Sequence, residues 1–102
     1  MMQQTPDDLS NAVVTFLGYG TAAFPWRNVA RLAEQFGPAR TSALQSDIEA
    51  LLAEVSNITI DWSQQTLTSA ANVVRAELHK RHPELTDAAL NALTWKFTFD
   101  WR

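Results

Sequence analysis

The residues best suited to metal chemistry are two histidines, His79 and His82, with Glu77 and Glu84 close by. A spacing of three can place two imidazoles on one helix face, and imidazole and carboxylate groups both bind divalent metals. A metal site needs at least a third ligand supported by further hydrogen bonds, and the sequence indicates none. We therefore expect a solvated helix end whose cations interact with the helix dipole, with no metal or other cofactor.

Catalytic patterns are also missing from the sequence. The chain has no cysteine, which excludes disulfides, thiol catalysis and thiolate-bound metals. A Ser–His–Asp triad is assembled in space, but no nucleophile-elbow pattern occurs and the histidines adjoin Lys80 and Arg81. The stretch GYGT at 18–21 lacks the remainder of a phosphate-binding motif and is expected to form a turn. We expect a protein without enzymatic activity.

Length and charge limit the classes of function further. The 102 residues, 46% of them hydrophobic, fit a single helical domain over 1–102, with residues 1–4 expected to be disordered. A net charge of −3 argues against a broad nucleic-acid or anionic-membrane surface. The N-terminus does not look like a signal peptide, and no apolar run approaches the ~20 residues of a membrane span. The expected location is the cytoplasm.

One segment carries a resemblance to a known family. Leu-Ala-Glu-Gln-Phe-Gly at 32–37 is similar to the helix-turn-helix of GntR-type transcriptional regulators, where such a segment precedes the recognition helix. Ala33 and Gly37 fall where that motif has a small residue and a turn. The resemblance implies a DNA-binding regulator built on residues 29–52. The residues that would lead the helix entering the major groove are Arg40, Thr41 and Ser42.

The following residues depart from that motif. Pro38 and Ala43 stand where the motif has apolar residues, and Ser46 occupies a position that should pack inward. Asp47 and Glu49 would face a phosphate backbone unfavourably. We therefore keep DNA binding as the alternative function and expect nucleic acid not to be the partner.

Helical spacing of apolar residues accounts for most of the chain. It recurs in five segments that lie at 5–20, 25–37, 41–55, 61–83 and from 86 onward. Thr5 is the expected cap of the first helix, and Gly18 or Gly20 is expected to end it. Leu85 and Leu90 are spaced as a hydrophobic staple at the start of the last helix. The sequence predicts an all-α, compact bundle of four to five helices.

The junction before the fourth helix fits this pattern least well. The stretch SNITIDW alternates like a strand, and its ITIDW echoes FTFDW at 97–101, 39 residues later. Two copies do not establish a repeat. A short extended or β-like segment therefore stays open near 57–61 and at the C-terminus. Asp61 with Gln64 is the expected capping box of the fourth helix, with Ser63 as the alternative cap.

The chain ends in LTWKFTFDWR, where four aromatics occupy every second position: Trp95, Phe97, Phe99 and Trp101. A strand would place them on one face but would need a partner strand. A helix would place Phe97 and Trp101 on one face and Trp95 and Phe99 nearly opposite. We favour the helix, because no Gly or Pro interrupts it, and keep a strand or a docked tail as alternatives.

A helix that is apolar on two opposed faces either lies at the centre of its domain or buries one face in another chain. Aromatic residues, Trp above all, are frequent at the energetic centres of protein interfaces. The expected function is a small interaction or regulatory/accessory module that contacts another protein or a second copy through Trp95, Phe99 and Trp101. On this hypothesis, truncating Phe97 unfolds the domain, whereas truncating Trp95 or Phe99 only weakens the contact.

Overall fold

In a computed structural model of the chain, the described residues are 6–20, 25 and 27–100. They form five helices, and no strand occurs among them. In chain order the helices are α1 (Pro6–Leu17), α2 (Val29–Phe36), α3 (Pro38–Asn57), α4 (Leu67–Arg81) and α5 (Asp87–Asp100). The predicted all-α bundle of four to five helices is confirmed. None of these five is both long enough and apolar enough to cross a bilayer.

The central helix is α5, which packs against α1, α3 and α4. Within the described residues, α1 and α4 make no comparable contact with each other, so α5 separates them. The buried residues of α5 are Ala89, Leu90, Ala92, Leu93 and Phe97. Leu90 and Ala92 point to nearly opposite sides of the helix, and both are fully buried. The two apolar faces of this helix are therefore covered largely within the chain itself.

Two contacts show that α1 and α5 run parallel. The hydroxyl of buried Ser10 in α1 accepts a hydrogen bond from the backbone N–H of Thr86, just before α5, at 3.1 Å. Nine residues further along each segment, the rings of Tyr19 and Trp95 lie 5.6 Å apart. Ser10 thus fixes the register between the two helices at one end, and the aromatic pair does so at the other.

On its other side, α5 forms an antiparallel hairpin with α4. The side chain of Arg75 donates to Asn91 at 2.9 Å and to Asp87 at 3.2 Å, which joins the middle of α4 to the start of α5. The buried residues of α4 are Ala70, Ala71, Val74 and Leu78. Two of the four are alanines, which allow the two helix backbones to approach closely.

The expected signals at helix ends are confirmed for α1 and α5. Gly18 has a φ of 76° and donates its N–H to the carbonyl of Val14 at 2.9 Å, which ends α1. At the start of α5, Leu85 and Leu90 are both buried. The Thr86 hydroxyl between them accepts from the N–H of Ala89 at 3.2 Å, as a helix cap does. The expected cap Thr5 and the N-terminal residues 1–4 lie outside the described residues.

A single residue, Gly37, connects α2 and α3. Its φ of 85° is open to glycine and strained for other residues. Its N–H closes α2 by donating to the Ala33 carbonyl at 2.8 Å, and its own carbonyl accepts from the Thr41 hydroxyl at 2.9 Å. As a result α3 begins at Pro38, earlier than the 41–55 segment indicated, because proline suits the first helical position.

The predicted start of α4 is wrong. Thr66 caps the helix and forms a reciprocal capping box with Ser69. The carboxylate of Asp61 instead accepts from the N–H of Ser63 at 3.1 Å and from its hydroxyl at 2.6 Å. Aspartate readily bonds to the backbone two residues ahead, and this local turn uses the acceptor that a capping box would need.

The two segments whose apolar and polar residues alternate as in a strand do not form strands within the described residues. Near 57–61, Asn57 ends α3, and Ile58 has extended backbone angles without pairing in any described strand. The last aromatic segment is helical through Asp100. A strand at this place would need a partner, whereas the helix buries its apolar residues against three neighbours. The strand alternative is therefore wrong for 95–100.

We predict that Phe97→Ala removes about 3–5 kcal/mol from the free energy of unfolding. The side chain is 3% exposed in the core, so its loss leaves a cavity that the packed helices fill only in part. Val73→Ala is the control, because Val73 is 41% exposed on α4 and its truncation is expected to cost within about 0.5 kcal/mol. Urea unfolding measures both, and equal losses would contradict the assignment of Phe97 to the core.

We predict that Ser10→Ala costs about 0.5–1.5 kcal/mol, because the Thr86 N–H then loses the hydrogen bond that joins the start of α5 to α1. Hydrogen exchange at the Thr86 amide is expected to become faster in this variant. Ser42→Ala, at an exposed position of α3, serves as the control and should change neither quantity. Unchanged exchange at Thr86 after Ser10→Ala would show that this hydrogen bond does not fix the register of α1 on α5.

Candidate functional site

The residues predicted to bind a partner occupy different environments. Trp95 is partly buried, packs against the core and meets Tyr19 at an angle of 58° between the rings. Phe99, in the last turn of α5, is 38% exposed. Trp101 lies outside the described residues. The structure therefore places Trp95 between core and surface and Phe99 at the surface.

A second aromatic lies at the same end of α5. The ring of Trp62 stacks on that of Phe97, with centroids 6.3 Å apart and planes within 5°. Phe97 is buried, whereas Trp62 is 40% exposed. Because Phe97 and Phe99 are two residues apart on one helix, Trp62 and Phe99 flank the same helix end. Sequence reasoning missed Trp62, whose place depends on the turn that follows α3.

Beside this aromatic end there is a cleft of about 220 Å³ between α3 and α5. Its lining residues are Arg27, Glu49, Leu52, Ala53, Val55, Ser56, Lys96 and Asp100. Leu52 and Val55 belong to the buried core and give the cleft an apolar floor. Phe99 is not among the lining residues, although it lies between Lys96 and Asp100 in sequence. The aromatic side chain thus projects from the flank of α5, next to the cleft.

The charged rim of the cleft consists of two ion pairs. Arg27 and Glu49 lie 2.5 Å apart, as do Lys96 and Asp100, one turn apart on α5. The side chain of Arg27 is 58% exposed, so its pair is well screened by solvent. Exposed pairs of this kind contribute about 0–1 kcal/mol each. The side chain of Lys96 is 21% exposed, so its pair with Asp100 is less screened than that of Arg27.

The two histidines do not converge. His82 lies just past α4, with Nε2 2.8 Å from a Glu54 oxygen and Nδ1 3.5 Å from a Glu84 oxygen. Arg81 contacts the same Glu54 at 3.7 Å, and His79 is exposed on α4. In the part of the chain that the structure describes, no group of three or more His, Asp or Glu is placed to hold a metal ion. His82 instead joins the end of α3 to the end of α4.

The residues implicated by the helix-turn-helix resemblance are mostly engaged within the fold. The guanidinium of Arg40 donates to Asp8 at 2.8 Å and lies 5.6 Å from the centre of the Phe36 ring. Thr41 is 8% exposed, and only Ser42 of the three leading residues is fully at the surface. The connection between α2 and α3 is one residue, against about three to four in the motif. The first turn of α3 is thus directed towards α1.

Neither the cleft nor its rim has a signal in the sequence. The apolar positions of α3 predict its buried stripe, but they do not show that α3 meets the last turns of α5. Arg27 precedes α2 and bonds to Glu49 of α3, and both residues line the cleft. The lining residues come from three separate parts of the chain, so only the packing brings them together.

Comparison of the chain with protein-family models, with curated proteins and with solved structures found no match.

Proposed function

We propose that this protein is an interaction module that contacts a partner chain through the C-terminal end of α5. The observation that carries the proposal is the position of Phe99, an aromatic side chain 38% exposed beside a cleft with an apolar floor. Interfaces commonly have this composition, with a few aromatic anchors, an apolar centre and a charged rim. Trp62 lies on the other flank of the helix end, where it stacks on Phe97.

Exposure of a single apolar side chain would not support such a proposal, because scattered surface hydrophobics are normal. Val29 and Val73 are exposed to a similar extent on α2 and α4. The end of α5 differs from these places because an exposed aromatic, Phe99, lies there on the helix turn that also lines a cleft. This combination, rather than the exposure of any one residue, favours an interaction surface.

The alternatives have less support from the geometry. A DNA-binding surface requires cations directed at phosphates, but Arg40 is paired with Asp8 and Arg27 with Glu49. An enzyme requires a general base or a nucleophile in the cleft. Among the described lining residues there is no histidine, and the carboxylates of Glu49 and Asp100 are paired with cations.

We predict that Phe99→Ala weakens the contact with a partner at least tenfold while the domain stays folded. The reason is that an interface anchor contributes ~2 kcal/mol or more to binding, whereas truncating Phe99, which is 38% exposed, is expected to cost less stability than truncating the buried Phe97. The immobilised protein is exposed to native lysate, and captured proteins are quantified by mass spectrometry. Circular dichroism and thermal unfolding report the fold.

The matched control for this experiment is Val73→Ala, which removes a side chain of similar exposure from α4. Trp95→Ala should show a mixed effect, with a loss of stability between those of Phe97→Ala and Phe99→Ala, because its ring packs on Tyr19. A captured protein that the Val73→Ala and Phe99→Ala variants retain equally does not bind through this surface. If every captured protein behaves in that way, the proposal is wrong.

We also predict that the protein shows no sequence-specific binding to duplex DNA at physiological salt. The surface cations that the helix-turn-helix resemblance would need are paired within the chain. Fluorescence anisotropy against a pool of random duplexes measures this, with the variant Arg40→Ala as the comparison. A specific complex tighter than ~10⁻⁷ M that Arg40→Ala weakens would favour the DNA-binding alternative instead.

A further inference from the structure

We infer that α4 is a lid, which opens away from α5 as a unit while the other four helices stay packed together. Glu54 of α3 is the latch that holds the C-terminal end of this lid closed. The inference concerns a conformational change and does not depend on the interaction surface proposed at the end of α5. Opening of the lid uncovers the face of α5 on which α4 packs.

The packing of the five described helices leaves α4 at the edge of the bundle. Its extensive helix–helix contact is with α5. The other four helices hold together without it, since α1 packs against α2, α3 and α5, and α3 packs against α2 and α5 as well. Movement of α4 therefore leaves a connected set of four helices, as local opening without global unfolding requires.

The apolar face that α4 buries is small for a helix of 15 residues. Its buried residues are Ala70, Ala71, Val74 and Leu78, and two of these four are alanines. The shorter α1, with 12 residues, buries the larger apolar set Ala12, Val13, Phe16 and Leu17. Because the free energy of apolar burial scales with the area buried, α4 is held in place more weakly than α1.

Polar contacts at its C-terminal end join α4 to α3. Nε2 of His82 lies 2.8 Å from one carboxylate oxygen of Glu54, and Nη1 of Arg81 lies 3.7 Å from the other. Both oxygens of a single α3 side chain thus hold the end of α4. The side chain of Glu54 is 34% exposed, so solvent can replace these contacts when the lid opens.

Contacts on both sides of α4 set the limits of the moving segment. Before the helix, the ring of Trp62 stacks on Phe97 of α5. After the helix, Leu85 is buried, and the N–H of Thr86 donates to Ser10 of α1. The segment 63–84 between these contacts contains α4 and a short non-helical stretch at each of its ends. We therefore assign the opening unit to 63–84.

A single introduced thiol reports the opening, because the chain has no cysteine of its own. Ala70→Cys places the thiol on the buried face of α4, and Ala12→Cys is the matched control at an equally buried position of α1. A thiol reagent modifies each only when that position opens to solvent. Without denaturant, we expect Ala70→Cys to react at least ~10 times faster than Ala12→Cys. Urea unfolding of both variants gives the reaction rate that global unfolding alone would produce.

The latch is tested by adding Glu54→Ala to each thiol variant. The change removes the contacts to His82 and Arg81, and it is expected to speed the reaction at Ala70→Cys by about three- to tenfold. At Ala12→Cys the rate should follow global stability alone. Asp47→Ala, which removes the same charge from an exposed position of α3, is the control and should not change the ratio of the two rates.

Native-state hydrogen exchange on the unmodified chain tests the lid without an introduced thiol. The amides of α4 are expected to exchange together, with a weaker dependence on urea than the amides of α1, α3 and α5. Amides of α4 that exchange only through global unfolding would overturn the inference, as would equal reaction rates for Ala70→Cys and Ala12→Cys. A faster reaction at Ala70→Cys that Glu54→Ala leaves unchanged would refute the role of Glu54 as the latch.

Discussion

The structure depends on the burial of α5 on two sides. Leu90 and Ala92 point in nearly opposite directions, and neither is exposed to solvent. A helix of this kind is stable in water only if other elements cover both faces, which α1 and α4 do here. Ser10 fixes α1 in register through its bond to the start of α5, and α3 covers part of what remains. The other helices are thus arranged so that they cover the two apolar faces of α5.

This arrangement also decides which part of α5 is available for function. The core occupies the helix as far as Phe97, and only the last turn reaches solvent with a large apolar side chain. Trp62 from the turn after α3 covers Phe97 at the same end, so core and surface aromatics meet there. Because the end of α3 lies alongside, this last turn forms one wall of the cleft. The candidate surface exists because the core ends at Phe97 and the last turn of α5 lies beyond it.

The segment that resembles a DNA-binding helix-turn-helix has a structural role in this fold. A recognition helix must present its first turn to the major groove. Here the side chain of Arg40 is held by Asp8 of α1, and Thr41 bonds to the carbonyl of Gly37. The helix that would enter DNA is also one of the main contributors to the core, through Leu44 and the residues that follow it at helical spacing. Its inward face packs against α1, α2 and α5.

The sequence by itself determined the local structure wherever the signal is local: the apolar spacing of the helices, the stop at Gly18 and the start at Thr86 all follow from neighbouring residues. The sequence misplaced the start of α4. The side chain of Asp61 can accept hydrogen bonds in a turn or at a helix cap, and only its surroundings decide which of the two forms. The sequence's division of the last aromatics holds for Phe97, which is buried, and for Phe99, which is exposed, but Trp95, predicted on the same face as Phe99, packs partly against the core. It could not show Trp62 stacking on Phe97 or the cleft beside α5. These features join segments far apart in the chain, and such contacts are set by packing and loop closure, which no local pattern encodes.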